Sequence, residues 1–251
     1  MVIIKTKEEI EKMVLAGKIL ADVHHKLRDF IKPGVKTIEI DKFVDDYLIS
    51  RGATAEEKGY EGYPYSVCTS VNDEVCHGFP SERVLKEGDI LNVDLVVNYK
   101  GWLADSGWSY EVGEVSDEAK RLLQVTKECM YKGIELAQIG NRLGDIGYAI
   151  QEHAEKNGYS VVREFVGHGI GREMHEDPQV LHYGKPGHGL RIREGMVFTI
   201  EPMINQGKKE IYIDKNGWTA KTKDGSLSAQ YEHQLAITKD GPIIITDQGD
   251  C

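Results

Sequence analysis

The sequence predicts an α+β fold, and three observations carry that expectation. Two separated pairs of segments place apolar residues at helical spacing. Each pair is followed by apolar, β-branched runs of strand length. The two stretches also repeat each other: Gly34, Ile40 and Gly52 recur as Gly140, Ile146 and Gly158, each 106 positions on. LKEGDILNVDLVV (85–97) likewise aligns with IREGMVFTIEPMI (192–204), which sets Asp94 against Glu201. The expected organisation is a single domain over 1–251, made of halves at roughly 5–112 and 113–247 that close on one shared site.

Local signals place the elements in order. Thr6-Lys7-Glu8-Glu9 is a capping box, and Ile10, Met13, Val14, Ile19, Leu20, Val23, Leu27 and Phe30 continue it as a helix that Pro33-Gly34 stops. Thr37 is the expected cap of a second helix ending at Arg51-Gly52. Residues 53–83, rich in Gly, Tyr and Pro, read as loop and short strand. A buried strand over 90–97 follows, then a tight turn at Asn98-Tyr99-Lys100-Gly101 and an antiparallel return over 102–110. Ser116 caps a third helix reaching Gly140, and a fourth covers 143–156 and stops at Asn157-Gly158. Strands are expected at 161–166, 196–204, 210–213, 230–238 and 242–246, with 247–251 as a frayed tail.

Bulk properties exclude several functions. A net charge of −10 argues against a nucleic-acid surface. The sequence has no apolar run long enough for a membrane span, and its N-terminus turns acidic and helical at once, unlike a secretory signal. Cys68, Cys76, Cys129 and Cys251 show no CxxC spacing, which fits a cytoplasmic chain with free, buried thiols. A monomer is the default expectation.

The chemistry starts at Asp94, which interrupts the apolar run 90–97. With Tyr99 and Lys100 at the turn, Asp94 faces Asp105 across the hairpin. Two buried carboxylates side by side need a proton or a cation. Glu201 and Glu232 add two more acids inside apolar strands. Alone, Glu201 reads as a strand-end acid before Pro202, and Glu232 as the exposed face of an alternating strand. Four together call for metal. His168, between glycines in GHGIGREMHEDP (167–178), supplies an imidazole where little bulk blocks a ligand. An oxygen-rich set with one imidazole suits Mn, Fe, Co or Zn, and four negative charges balance two divalent ions. His77 and His175 remain as donors to a carbonyl oxygen or a substrate amide. His182 and His188 read as loop residues that only rim the site, and His233 points to the other face from Glu232. The loop 59–68, rich in tyrosine, either walls an apolar pocket or packs on the sheet.

Taken together, NVDLVV, ADSGWSY, GHGIGREMHEDP, TIEPM and AQYEHQ resemble the methionine aminopeptidase family, in its short bacterial type I form. The resemblance implies a pita-bread fold, two pseudo-twofold halves with antiparallel sheet and flanking helices. It implies two divalent metal ions on Asp94, Asp105, His168, Glu201 and Glu232. It gives His77 and His175 to the scissile amide and carbonyl, and makes Glu201 both ligand and proton shuttle for a metal-bridging hydroxide. It points to Tyr60, Tyr63, Cys68, Met174 and Trp218 as the methionine pocket. The implied reaction releases the initiator methionine from nascent peptide N-termini, with a small second residue preferred; ribosome contact stays open. Met174 and Ser106 depart from the Phe and Thr common in the family, and Glu57-Lys58 stands where the pocket often has Cys or an apolar residue. Two alternatives remain: a proline-specific aminopeptidase or prolidase, and a non-catalytic binding protein of the same fold.

Overall fold

A computed structural model describes residues 1–249 of the chain, so Cys251 lies outside the described residues. Helix α1 (Lys7–Phe30) starts as the capping box requires: Thr6 Oγ1 accepts from the Glu9 N–H at 3.3 Å, and the Glu9 carboxylate accepts from the Thr6 N–H at 2.8 Å. Such a cap stabilises a helix by about 1 kcal/mol. Helix α2 (Thr37–Ser50) departs from expectation, because its cap is Lys36. Thr37 is instead buried, and its hydroxyl donates to the Ser81 carbonyl at 3.1 Å. Strands β1 (Thr54–Ala55), β2 (Cys68–Val71), β3 (Glu74–Cys76), β4 (Ile90–Tyr99) and β5 (Trp102–Glu111) follow. Helix α3 (Asp117–Leu136), capped by Ser116, stops short of Gly140, and α4 (Leu143–Lys156) ends where Asn157-Gly158 predicts.

The remaining chain is short strands: β6 (Ser160–Val161), β7 (Gly167–Gly169), β8 (Glu176–Val180), β9 (Val197–Ile200) and β10 (Met203–Asn205). Then come β11 (Ile211–Ile213), β12 (Ala220–Thr222), β13 (Ser228–Gln230), β14 (His233–Thr238) and β15 (Gly241–Ile244). The long strands expected at 196–204 and 230–238 are each broken, at Glu201-Pro202 and at Tyr231-Glu232. Pro202 has no N–H to continue a ladder. The strand expected at 161–166 is confined to its first residues. The described part of the tail, 247–249, is better held than expected: Gln248 is buried, and its side chain accepts from Arg28 at 2.8 Å.

All strand pairings are antiparallel. One sheet has the order β1-β4-β2 with β5 on β4, and another runs β15-β14-β9-β7-β8. Helix α1 lies across β4 and β5, while α3 packs on α4. A continuous buried cluster joins these layers from Ile10 to Ile245. No helix among the described residues is long and apolar enough to cross a membrane.

The hairpin register corrects one expectation. Asp94 faces Gly107 and Asp105 faces Val96, so the two acids are diagonal rather than opposed. The turn residues are Lys100 and Gly101, with φ of 56° and 76°. Positive φ at both central positions defines the turn whose twist suits a hairpin, and glycine meets it at least cost. A shift of two residues leaves the side-chain parity intact, so both acids still project from one face.

Candidate active site: a buried carboxylate centre

Each half of the chain brings two acids to one place. Asp94 stands between Val93 and Leu95 in β4, and Asp105 in a β5 that is buried from Trp102 to Tyr110. Gly107 sits between them and the second half: a Cβ there would come within 3.3 Å of Glu232 Oε2 and 3.4 Å of Asp94 Cγ. Glu201 and Glu232 emerge at the two strand breaks, 7 % and 1 % exposed. The Glu232 N–H donates to the Gly107 carbonyl at 2.8 Å, tying that break to β5. His168 arrives from β7, its Nε2 3.5 Å from Asp105 Oδ2 and 3.6 Å from Glu201 Oε1. One ligand atom each from Asp105, His168 and Glu232 lie within 4.8 Å of one another.

The electrostatics follow from burial and crowding. Burial first, then Asp105 and Glu201, push Asp94 well above the ordinary carboxylate range. Glu232 rises for the same reasons, and the two carboxyls hydrogen-bond each other. Burial raises Glu201 to about 7, against the pull of His168 and the Thr199 hydroxyl. Burial alone would depress His168, but the Asp105 hydrogen bond and the charges of Glu201 and Asp105 outweigh it and raise it to about 9. Four carboxylates and an imidazole so placed retain protons or bind cations. Hard oxygen donors with one imidazole fit divalent Mn, Fe, Co or Zn.

Beside the centre lies a cavity of ≈ 270 Å³. Its wall holds every residue expected of the pocket, Tyr60, Tyr63, Cys68, Met174 and Trp218, together with His77, His175 and the centre's five residues. The tyrosine-rich loop therefore walls a pocket rather than only packing on the sheet. Tyr63 meets Trp218 edge to face, with ring centroids 5.1 Å apart, and its hydroxyl lies 3.1 Å from the Val67 and Gly78 carbonyls. His175 sits 4.4 Å from His168, ring to ring, and its Nδ1 is 2.8 Å from the Tyr60 hydroxyl. Burial, and then His168, depress its pKa. His77 packs edge-on against Phe165 at 5.2 Å, and burial depresses it to about 4. Both imidazoles are neutral at pH 7.

Some supporting residues escaped the sequence reading. His182, expected to rim the site, is buried, and its Nε2 accepts from the Glu201 N–H at 3.2 Å. Thr199 Oγ1 donates to Glu201 Oε1 at 2.8 Å and accepts from the His168 N–H at 3.0 Å. Gln234 Oε1 accepts from the Asp105 N–H at 2.8 Å. Their signal was position: Thr199 lies two residues before Glu201, and Gln234 two after Glu232, on the same side of the strand. His233 is buried against Thr246 and stays out of the cavity. Glu57, noted only as a departure from the family, is a buried acid in the cavity wall.

A buried carboxylate and imidazole centre beside an aromatic-walled pocket, on antiparallel sheets flanked by helices, is the site of a metal-dependent hydrolase. The chain belongs to metallopeptidase family M24, whose family model matches residues 11–239. It is 49 % identical over 247 residues to a methionine aminopeptidase of Clostridium acetobutylicum, covering 98 % of this chain and 99 % of that one. The crystal structure of methionine aminopeptidase from Rickettsia prowazekii superposes with a TM-score of 0.97 at 47 % identity, over 98 % of this chain and 100 % of the other. An Xaa-Pro dipeptidase from Bacillus anthracis is more distant, with a TM-score of 0.78 at 25 % identity, and this chain covers 62 % of it. The architecture is the α+β pita-bread fold of these proteins.

Proposed function

We propose that the chain is a metal-dependent aminopeptidase that releases the N-terminal methionine of nascent proteins and peptides and prefers a small second residue. The observation that carries this reading is the meeting of the five-residue centre with an apolar, aromatic-walled cavity of side-chain size. It acts as one catalytic domain, a reading supported by the continuous core, with halves at roughly 5–112 and 113–247 related by the sequence repeat. In this reading the chain is a cytoplasmic monomer. Asp94, Asp105, His168, Glu201 and Glu232 would hold two divalent ions, which supply Lewis acidity and lower the pKa of water toward ~7.

The residues then divide the work. The pocket of Tyr60, Tyr63, Cys68, Met174 and Trp218 takes the methionine side chain and excludes water. Tyr60 donates to His175 Nδ1, which leaves the hydrogen on Nε2 to donate to the scissile carbonyl oxygen. His77, neutral and held by Phe165, orients the amide. Glu201, with its pKa raised to about 7, takes a proton from the attacking water and returns it to the leaving amine.

The test is hydrolysis of Met-Ala-Ser and Ala-Pro peptides by chelator-stripped protein, with Mn, Fe, Co or Zn restored singly. Methionine release that returns with metal supports the proposal and ranks the ions. Cleavage of Ala-Pro alone would transfer the chain to the proline-specific branch, and peptide binding without turnover in any metal would revive the binding-protein reading.

A further inference from the structure

We propose that Lys5 is a positioning residue for His175: its buried ion pair with Glu176 closes the short loop that aims the imidazole at the scissile carbonyl. The inference rests on the aminopeptidase reading above, in which His175 donates to that carbonyl. It extends the reading to a residue that precedes the first helix and stands 171 positions from its partner.

Lys5 joins the start of the chain to the second half. Its N–H donates to the Gly195 carbonyl at 2.7 Å. Gly195 permits the approach, since a Cβ there would come within 2.8 Å of the Lys5 carbonyl oxygen. The Lys5 side chain runs against Gly171, where a Cβ would meet Nζ at 2.6 Å. Its ammonium ends on Glu176 Oε2, and the two side chains are 3 % and 6 % exposed. The second carboxylate oxygen, Oε1, accepts from the Arg172 N–H at 3.1 Å. One carboxylate therefore closes the loop 172–176 on itself and ties it to Lys5. Glu176 also faces Gly169 in β7, the residue after His168, so the tie lies where the loop rejoins the sheet that carries the centre.

The loop carries two residues of the cavity wall, and they are held differently. Met174 is buried in the core cluster and fixed by packing. His175 is exposed, with its ring against Tyr60 and His168, so its aim follows the backbone of the loop. A buried ion pair adds little to stability over two apolar side chains, because desolvation offsets the attraction. What it adds here is geometry: the ammonium fixes one carboxylate oxygen, and the other fixes the loop. A catalytic group needs such support, since a misplacement of about 1 Å can cost 10²-fold in rate. Without the ammonium, the Glu176 charge is buried and uncompensated, and the loop must move to hydrate it.

The experiment measures kcat and KM for Met-Ala-Ser in the metal-loaded full chain, with kcat expressed per metal-bound molecule. Lys5→Met is made in the wild-type and in the His175→Ala background. Lys5→Met/Glu176→Gln is made in both as well; it leaves no unpaired charge and folds even where the single variant does not. In the wild-type background each should lower kcat about tenfold or more and leave KM within about twofold, because a carbonyl donor acts in the transition state. His175→Ala should itself lower kcat about 10²-fold, as the loss of one such donor does. In that background the same changes should cost less than about twofold, since the group they position is gone. Turnover near wild type without the ion pair overturns the proposal while the aminopeptidase reading stands. So does an equal loss in both backgrounds, or failure of both variants to hold metal, either of which makes the pair a structural requirement only. Near-normal turnover in His175→Ala removes His175 from the mechanism and Lys5 with it. A wild type that cleaves the peptide with no metal restored overturns the aminopeptidase reading and this inference together.

Discussion

The β4–β5 hairpin and the β9–β14 pair each deliver two acids to the centre, by opposite means. β4 and β5 pair without a break from Ile90↔Glu111 to Tyr99↔Trp102, and Asp94 and Asp105 lie inside that ladder. β9 and β14 pair only as far as Ile200↔His233, and Glu201 and Glu232 are the residues just beyond. Their backbone N–H groups go elsewhere, to His182 Nε2 at 3.2 Å and to the Gly107 carbonyl at 2.8 Å. The Glu201 carboxylate is held by the side chains of Thr199, at 2.8 Å, and Gln230, at 3.5 Å. The hairpin therefore fixes its acids by backbone, and the second half by side chains around a deliberate break. The acid whose pKa is tuned to about 7 lies on the second side.

The sharpest way to break this comparison is Glu201→Gln. A group that only anchors and a group that moves protons differ in what their loss removes. In metal-saturated protein the substitution should lower kcat about 10³-fold, within the range of a lost general acid and base. Thr199 and His182 should still seat the amide side chain and backbone. Steady-state kinetics with metal content measured in parallel checks this. A variant that keeps roughly a tenth of turnover would leave Glu201 as one more anchor and erase the distinction.

A second effect separates the same residue by pH. Glu201 has its folded pKa raised from the ordinary 4.5 to about 7. The stability it contributes is complete below about 4.5 and is lost as pH rises through about 7. Glutamine has no such loss. In chelated protein, Glu201→Gln should therefore gain on wild type between pH 5 and pH 8, by up to about 3 kcal/mol on the linkage relation. Thermal melts of both proteins read this as a Tm difference that grows with pH. The comparison between the two cancels the buried histidines, whose depressed pKa values act in the other direction. Adding metal should reverse the sign, because the ionised carboxylate is the form a cation favours. A pH-independent difference would mean that Glu201 is ionised throughout.

How much of this was legible beforehand depended on the physics of each feature. The centre was legible because an acid inside an apolar strand has few inexpensive explanations, and four such acids have fewer. The hairpin face survived an error in its turn, since moving the turn from Tyr99-Lys100 to Lys100-Gly101 shifts register by two and preserves parity. The strand breaks were not legible at Tyr231-Glu232, where no proline marks the stop. His182 was missed because a loop of Gly, Lys and Pro gives no periodicity from which burial can be read. Glu57 was placed near the pocket only through the family resemblance, because beside Glu56 and Lys58 no periodicity marks it as buried. Only the fold shows Lys58 turned outward to Asp45 and Glu57 turned in to Val96.

The smallest predicted effect tests the seam between the two halves. Gly107 faces Asp94 in the ladder, and its carbonyl holds the Glu232 N–H. An alanine Cβ would approach Glu232 Oε2 at 3.3 Å and Asp94 Cγ at 3.4 Å, close enough that the paired carboxyls must yield by a few tenths of an ångström. Its φ is not in the left-handed region, so Gly107→Ala carries no backbone strain. The fold and the Tm of chelated protein should stay near wild type. Metal affinity should fall about tenfold, the lower end of what displaced supporting groups cost a metal site. Calorimetric titration with Mn or Co measures it. An unaltered affinity would show that Asp94 and Glu232 can part freely, and that the hairpin does not fix its acids as firmly as its unbroken ladder implies. A fall shared with Tm would place the loss in the β4–β5 ladder itself, making the hairpin's rigidity and the metal site one property rather than two.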